Sequence, residues 1–278
     1  MKLKKIFALL AIPSLFLLSS CEKDVDEYDP EIETTFKLSE DQAVSESMND
    51  DATVVFFETT ANAGLMGRGT QTSNVTSCAS VNITPQNSFP KTIVVDFVGA
   101  GCTSIDGITR KGKINIVLSD SVHHPGATAV MTFDNYYVSG LKVEGTITWT
   151  NTTTPNGISW TRKVENGKVT SPIDGYYWLH SGMKTVTQIA GTNTPLNLLD
   201  DVYSVTGNHT VTNPAGKSRT ATITEALEKK TICHNISKGK IKIQGPNHFA
   251  IVDYGDGTCD KVATISIDGN PPRTILLP

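Results

Sequence analysis

"KVEGTITWT", Lys142 to Thr150, decides the fold. Val143, Gly145, Ile147 and Trp149 fall on one side of an extended chain, while Glu144, Thr146, Thr148 and Thr150 fall on the other. Strict alternation of this kind belongs to a strand with one dry face and one wet face. "ISWTRKV", Ile158 to Val164, repeats the pattern with Ile158, Trp160 and Val164 on a shared side. Trp149 and Trp160 are therefore expected in the core.

Outward from this pair of runs, the chain after Gly69 consists of short Thr- and Val-rich segments punctuated by Gly, Asn, Asp and Pro, with no helical period. Asn166-Gly167, Asp174-Gly175, Asp256-Gly257 and Asp268-Gly269 suit hairpin turns that need positive φ. Runs from 74–83 to 273–277 read as about 12 to 16 strands. In that reading 157–165 and 168–172, 176–180 and 184–189, and 218–226 and 230–236 are separate strands. No crossover helices are available for a parallel order. The expected class is mainly β: an antiparallel meander over residues 70–278, shaped as a sandwich, an open barrel or a long curved sheet, and readable as two similar sub-units.

Residues 39–69 form the expected helical segment. Ser39 as N-cap and Gln42 reaching back make a capping box, and the spacing predicts a helix from about Glu40 to Glu58. "TVVFFET", Thr53 to Thr59, is compatible with a strand as well.

The N-terminus has a different character. Lys2, Lys4 and Lys5 precede an apolar run from Ile6 to Leu18, then Ser19, Ser20 and Cys21. This is the pattern of a secretion signal over residues 1–20, too short for a comfortable membrane span. Leu18-Ser19-Ser20-Cys21 resembles the bacterial lipobox, in which the cysteine thiol carries diacylglycerol. Cys21 is then a lipid anchor in the outer membrane. Residues 21–38, with Glu22, Asp24, Asp26, Glu27, Asp29, Glu31 and Glu33, read as an acidic, extended tether. The start Cys21-Glu22-Lys23-Asp24 resembles the signal that sends lipoproteins of Bacteroidetes-type bacteria to the outer face of the outer membrane; a periplasm-facing lipoprotein is the alternative.

Removing the three leader lysines from the 24 basic residues leaves 21 against 28 acids, and the tether holds most of the excess. The body beyond Leu38 is nearly neutral, which argues against nucleic acid as a partner. Four cysteines remain besides Cys21. "VVDFVGAGC", Val94 to Cys102, and "IVDYGDGTC", Ile251 to Cys259, are alike, and each has another cysteine 24 or 26 residues upstream. The parallel spacing favours disulfides Cys78–Cys102 and Cys233–Cys259, worth roughly 3 to 4 kcal/mol each in a chain-entropy treatment. The spacing is not that of a metal site.

"GCTSIDGITRKGKI" (Gly101 to Ile114), "TFDNYYVSGLKVEGTIT" (Thr132 to Thr148), "DDVYSVTGNHTVTNPAGKS" (Asp200 to Ser218) and "DYGDGTCDKVATISIDG" (Asp253 to Gly269) together resemble the surface lipoproteins of Bacteroidetes-type bacteria. The resemblance implies an exported, lipid-anchored, β-rich protein and assigns no catalytic residue or cofactor.

The motifs that carry chemistry are sparse. Asp253, Asp256 and Asp260 lack the spacing of a calcium loop and read as a tight turn. No histidine has a glutamate at metalloprotease spacing, and no nucleophile elbow or phosphate loop occurs. "DGYYWLH" is the densest aromatic cluster, and Tyr176, Tyr177 and Trp178 are candidate ligand-binding residues if exposed, with core packing as the alternative. Asp120-Ser121-Val122 resembles an O-glycosylation triplet. The expected role is non-enzymatic: binding or shielding at the cell exterior, with glycan or protein as partner. The alternatives are a hydrolase using Asp96 and Asp253, and a lipid carrier or assembly accessory with a cavity inside a curved sheet.

Overall fold

The computed structural model describes residues 29–66, 75–105, 107–194, 197 and 199–278. The leader, Cys21 and most of the acidic tether lie outside the described residues. Among the described residues one helix, α1 (Pro30–Asn62), precedes thirteen strands: β1 (Ser80–Thr84), β2 (Lys91–Thr103), β3 (Thr109–Leu118), β4 (Thr128–Val138), β5 (Leu141–Asn151), β6 (Ser159–Thr170), β7 (Tyr177–Ala190), β8 (Val202–Thr212), β9 (Ser218–Lys230), β10 (Lys238–Gln244), β11 (Phe249–Asp256), β12 (Val262–Ile267) and β13 (Arg273–Leu276). Every strand pairs antiparallel with its sequence neighbour, so the sheet is a meander from β1 to β13 that stays open. It runs without a break between the halves that carry the two disulfides, Cys78–Cys102 and Cys233–Cys259.

The strands are fewer and longer than the turn signals imply. Asp174-Gly175, Asp256-Gly257 and Asp268-Gly269 do end strands, but Asn166-Gly167 lies inside β6 as a bulge, where the register with β7 shifts. Similar shifts occur between β3 and β4, β4 and β5, β5 and β6, β8 and β9, and within β10. They form a crease across the sheet. Bulges increase local bend and twist, which lets a long sheet curl. Gly145 shows the need for glycine there: its φ is +119°, and a Cβ would sit 2.7 Å from the Asn166 carbonyl oxygen.

The sheet curls around α1. Ser45 to Ala52 are all buried, and eight consecutive residues cover more than two helical turns. No direction around that part of the helix faces open solvent. Yet α1 is polar: Asp41, Gln42, Ser45, Glu46, Ser47, Asn49, Asp50 and Asp51 are among its buried residues. Several hydroxyls are satisfied on the helix itself, as Ser39 and Ser45 donate to the carbonyls of Thr35 and Asp41 at 2.7 and 2.8 Å. Carboxylates need partners from the sheet. Arg110 on β3 donates through Nε to Asp51 at 3.0 Å, and Tyr136 on β4 donates to its other oxygen at 2.7 Å. Arg162 on β6 bridges Asp50, at 2.6 Å, and Glu46, which Lys184 on β7 also contacts.

Helix α1 starts about ten residues earlier than its sequence signals suggest, so the expected tether is overturned for residues 30–38. Pro30 suits a first helical position, and Glu31 and Glu33 favour the N-terminal end of the helix dipole. Arg219 on β9 pairs with Glu31, and Arg273 on β13 with Glu33. Ser39 is a mid-helix residue, not a cap. The helix ends in a Schellman motif, with Leu65 N–H bonded to Thr60 O, Gly64 N–H to Ala61 O, and Gly64 at φ +71°. "TVVFFET" is helical because Val55 and Phe56 then pack into the core.

Asp51→Ala should destabilise the fold by about 3–5 kcal/mol, since it strands the Arg110 guanidinium in the interior. Glu33→Ala removes a half-exposed pair and should cost under about 1 kcal/mol. Denaturant titration of both variants checks this, and similar losses for the two would contradict the role given to the buried pairs.

Candidate functional site

Wrapping is incomplete along one stripe of the C-terminal half of α1. Thr53, Val54, Phe57 and Glu58 are only half-buried, and they share a face with Asp50, Asp51 and Ala61 at helical spacing. A cleft of about 400 Å³ opens over this stripe, within the range of small-ligand sites. Its wall is aromatic and aliphatic: Phe57 lies 5.3 Å from the Trp149 ring and 6.4 Å from Tyr203, and Val186 and Val205 complete that side. Its mouth carries Ile105 from the β2–β3 connection, Leu199 from β7–β8 and Ile232 from β9–β10, which are 70 %, 48 % and 63 % exposed. Three large aliphatics held in water around one opening form an apolar rim.

The floor is charged but paired. Asp51 is held by Arg110, and Asp50 by Arg162. Asp201 accepts from Gln188 and Tyr203, at 2.7 and 2.8 Å. Lys229 donates to the carbonyls of Cys233 and His234, and burial holds its ammonium below the usual lysine range. The Cys233–Cys259 disulfide therefore fixes a segment that lines the cleft. Glu58 accepts from the backbone N–H groups of Val75 and Thr76.

Beside the ion cluster lies a buried histidine pair, His180 on β7 and His209 on β8, with Nδ1 and Nε2 3.0 Å apart. Burial, with help from the nearby Arg162 charge, holds His180 down at about 4. Burial and the neighbouring Lys184, His180 and Arg162 hold His209 low as well. Burial also lowers Lys184 to about 7.

The residues singled out from sequence are placed as follows. Tyr176 and Trp178 face α1: the Tyr176 hydroxyl donates to Asp41 and Trp178 Nε1 to Ser45 Oγ, each at 2.7 Å. Tyr177 lies on the opposite face under the Lys168 ammonium, 4.7 Å from its ring centroid. The three thus form no common platform. Asp96 and Asp253 are not brought together either: they stand on β2 and β11, on the outer face, each beside a lysine of a paired strand, Lys113 and Lys240. Asp253, Asp256 and Asp260 each accept an N–H two residues ahead, as tight turns do. Ser121 donates to Leu65 O at 2.8 Å.

Comparison with family models, curated proteins and solved structures finds no match for the chain. Among the described residues no helix is long and apolar enough to cross a membrane, and no three His, Cys, Asp or Glu side chains are grouped for a metal ion.

Because both imidazoles are held neutral in the fold while an unfolded histidine takes a proton near pH 6.5, the fold loses stability as pH falls from 6.5 toward 4. His180 alone accounts for about 3 kcal/mol at roughly 1.4 kcal/mol per pKa unit. The double variant His180→Gln/His209→Gln should lose less stability than the wild type between pH 7 and 4.5. Equal pH dependence in urea titrations would contradict this assignment.

Proposed function

We propose that this chain is a lipid-anchored protein of the bacterial cell envelope that holds a small, mainly apolar ligand in the cleft between α1 and the curled sheet. The single observation that carries the binding reading is the cleft with its rim of three exposed aliphatics above a floor whose charges are already paired. An apolar rim around a concave, aromatic-walled site costs solubility and contributes nothing to the core, so occupancy by an apolar body gives it a purpose. The resemblance of residues 18–21 to a lipobox supports the anchor, and the acidic stretch after Cys21 supports delivery to the membrane surface. A non-enzymatic role fits a floor in which Asp50 and Asp51 are each held by an arginine.

The full chain carrying Cys21→Ser, free of any acyl group, should bind the neutral dye Nile red. The double variant Ile232→Asp/Leu199→Asp should lower that affinity at least tenfold, about 1.4 kcal/mol, with no change in thermal unfolding. Undiminished dye binding would overturn the cleft as the site. Palmitate labelling of the wild type, absent from Cys21→Ser, checks the anchor, and an unlabelled wild type would overturn it.

A further inference from the structure

We propose that Lys184 and Glu46 are a cross-linking pair: the lysine Nζ condenses with the glutamate side-chain carboxyl to give an internal amide that ties β7 to α1. Three lysines are buried among the described residues, Lys91, Lys184 and Lys229, and they differ in what they meet. Lys91 donates to the carbonyls of Pro85 and Gln86, and Lys229 to those of Cys233 and His234. Lys184 makes one hydrogen bond among the described residues, to Glu46 Oε2. Its side chain is 3 % exposed and that of Glu46 is 0 %. An ammonium has three protons to place, so the ion pair leaves this one under-supplied in an interior that also penalises both charges.

Each requirement of amide formation has a residue. The nucleophile has to be an uncharged amine, and burial lowers Lys184 to about 7, which leaves about half of it in that form at neutral pH. The electrophile needs its carbonyl polarised. Arg162 holds the opposite oxygen, Glu46 Oε1, where negative charge gathers when nitrogen adds to carbon. The fold keeps amine and carboxyl in contact and away from water, an arrangement in which intramolecular reactions reach effective concentrations of about 10⁵–10⁸ M. One proton passes from the Lys184 ammonium to Glu46 Oε2, and the resulting amine adds to Cδ. The tetrahedral centre keeps Oε1 against Arg162, a second nitrogen proton moves to Oε2, and that oxygen leaves as water. A C–N bond forms, a C–O bond breaks, and nothing is oxidised or reduced. The charges left behind also match: Arg162 holds Asp50 at 2.6 Å, so one guanidinium remains with one carboxylate. The amide joins residues 138 apart in the chain and fixes the helix within its sheet.

Mass spectrometry of the full Cys21→Ser chain, purified in folded form and then denatured and reduced, tests the cross-link. The intact chain should be lighter by one water than its sequence requires. A tryptic digest should contain peptide 38–68 joined to peptide 169–217, because trypsin does not cut after an acylated Lys184. Lys184→Arg keeps a positive charge beside Glu46 but offers no amine, and should appear at full mass. The measurement on the unsubstituted pair decides by itself if that variant fails to fold. A chain at full mass, with 38–68 and 169–184 recovered as separate peptides, would overturn the proposal, and so would a water lost at any other position.

Discussion

The buried acids of α1 and the cations that the sheet turns inward to meet them are the constraint on which the structure depends. Leu38, Met48, Ala52, Val55 and Phe56 give α1 apolar contacts with the sheet, but the acids buried beside them cannot be met by hydrophobic contact. Arg110, Arg162, Lys184 and Arg219 supply the missing complement from four strands. Pairs of this kind add little stability compared with a well-packed apolar replacement, but losing one partner is costly. They consequently act on position: turning α1 by one residue would move Glu46, Asp50 and Asp51 away from their partners together. The helix has one register in its sheet.

The sheet in turn has to reach around the helix, which a flat meander cannot do. The crease of register shifts that crosses most of the strands provides the bend, and positions such as Gly145 allow adjacent backbones to approach at it. The wrap closes over residues 45–52 and falls short over the stripe from Thr53 to Ala61. The cleft is what remains of that shortfall, walled by the aromatic side chains that would otherwise have been core and floored by the last of the ion pairs. The cleft and the fold share one cause.

Much of the sheet is legible in the sequence because alternation and turn residues are local signals. The antiparallel meander follows from them, and the two disulfides from the matching spacing of the two cysteine-ending motifs. Asn166-Gly167 misleads because a bulge and a hairpin ask for the same positive-φ residues, and only the partner strand distinguishes them. The extent of α1 is hidden for another reason: acids at 31 and 33 look like a solvated tether until Arg219 and Arg273, some 190 and 240 residues later, come to meet them. One signal is available. Arg162 falls on the same side of its strand as Ile158, Trp160 and Val164, and Lys184 shares parity with Trp178 and Val186. A cation on the dry face of a strand asks for a buried acid, and α1 holds several. The cleft carries no such mark, since its lining is drawn from the helix, from strands and from connections far apart in the chain.

The most direct measurement of whether α1 is the organising interior of this sheet is native-state hydrogen exchange of the full chain. If the helix is locked in place by its ion pairs, amides of residues 45–56 should exchange only through global unfolding, with the same free energy as the central strands β4 to β7. Exchange of those amides through a separate opening, orders of magnitude faster than that of the strands, would contradict it.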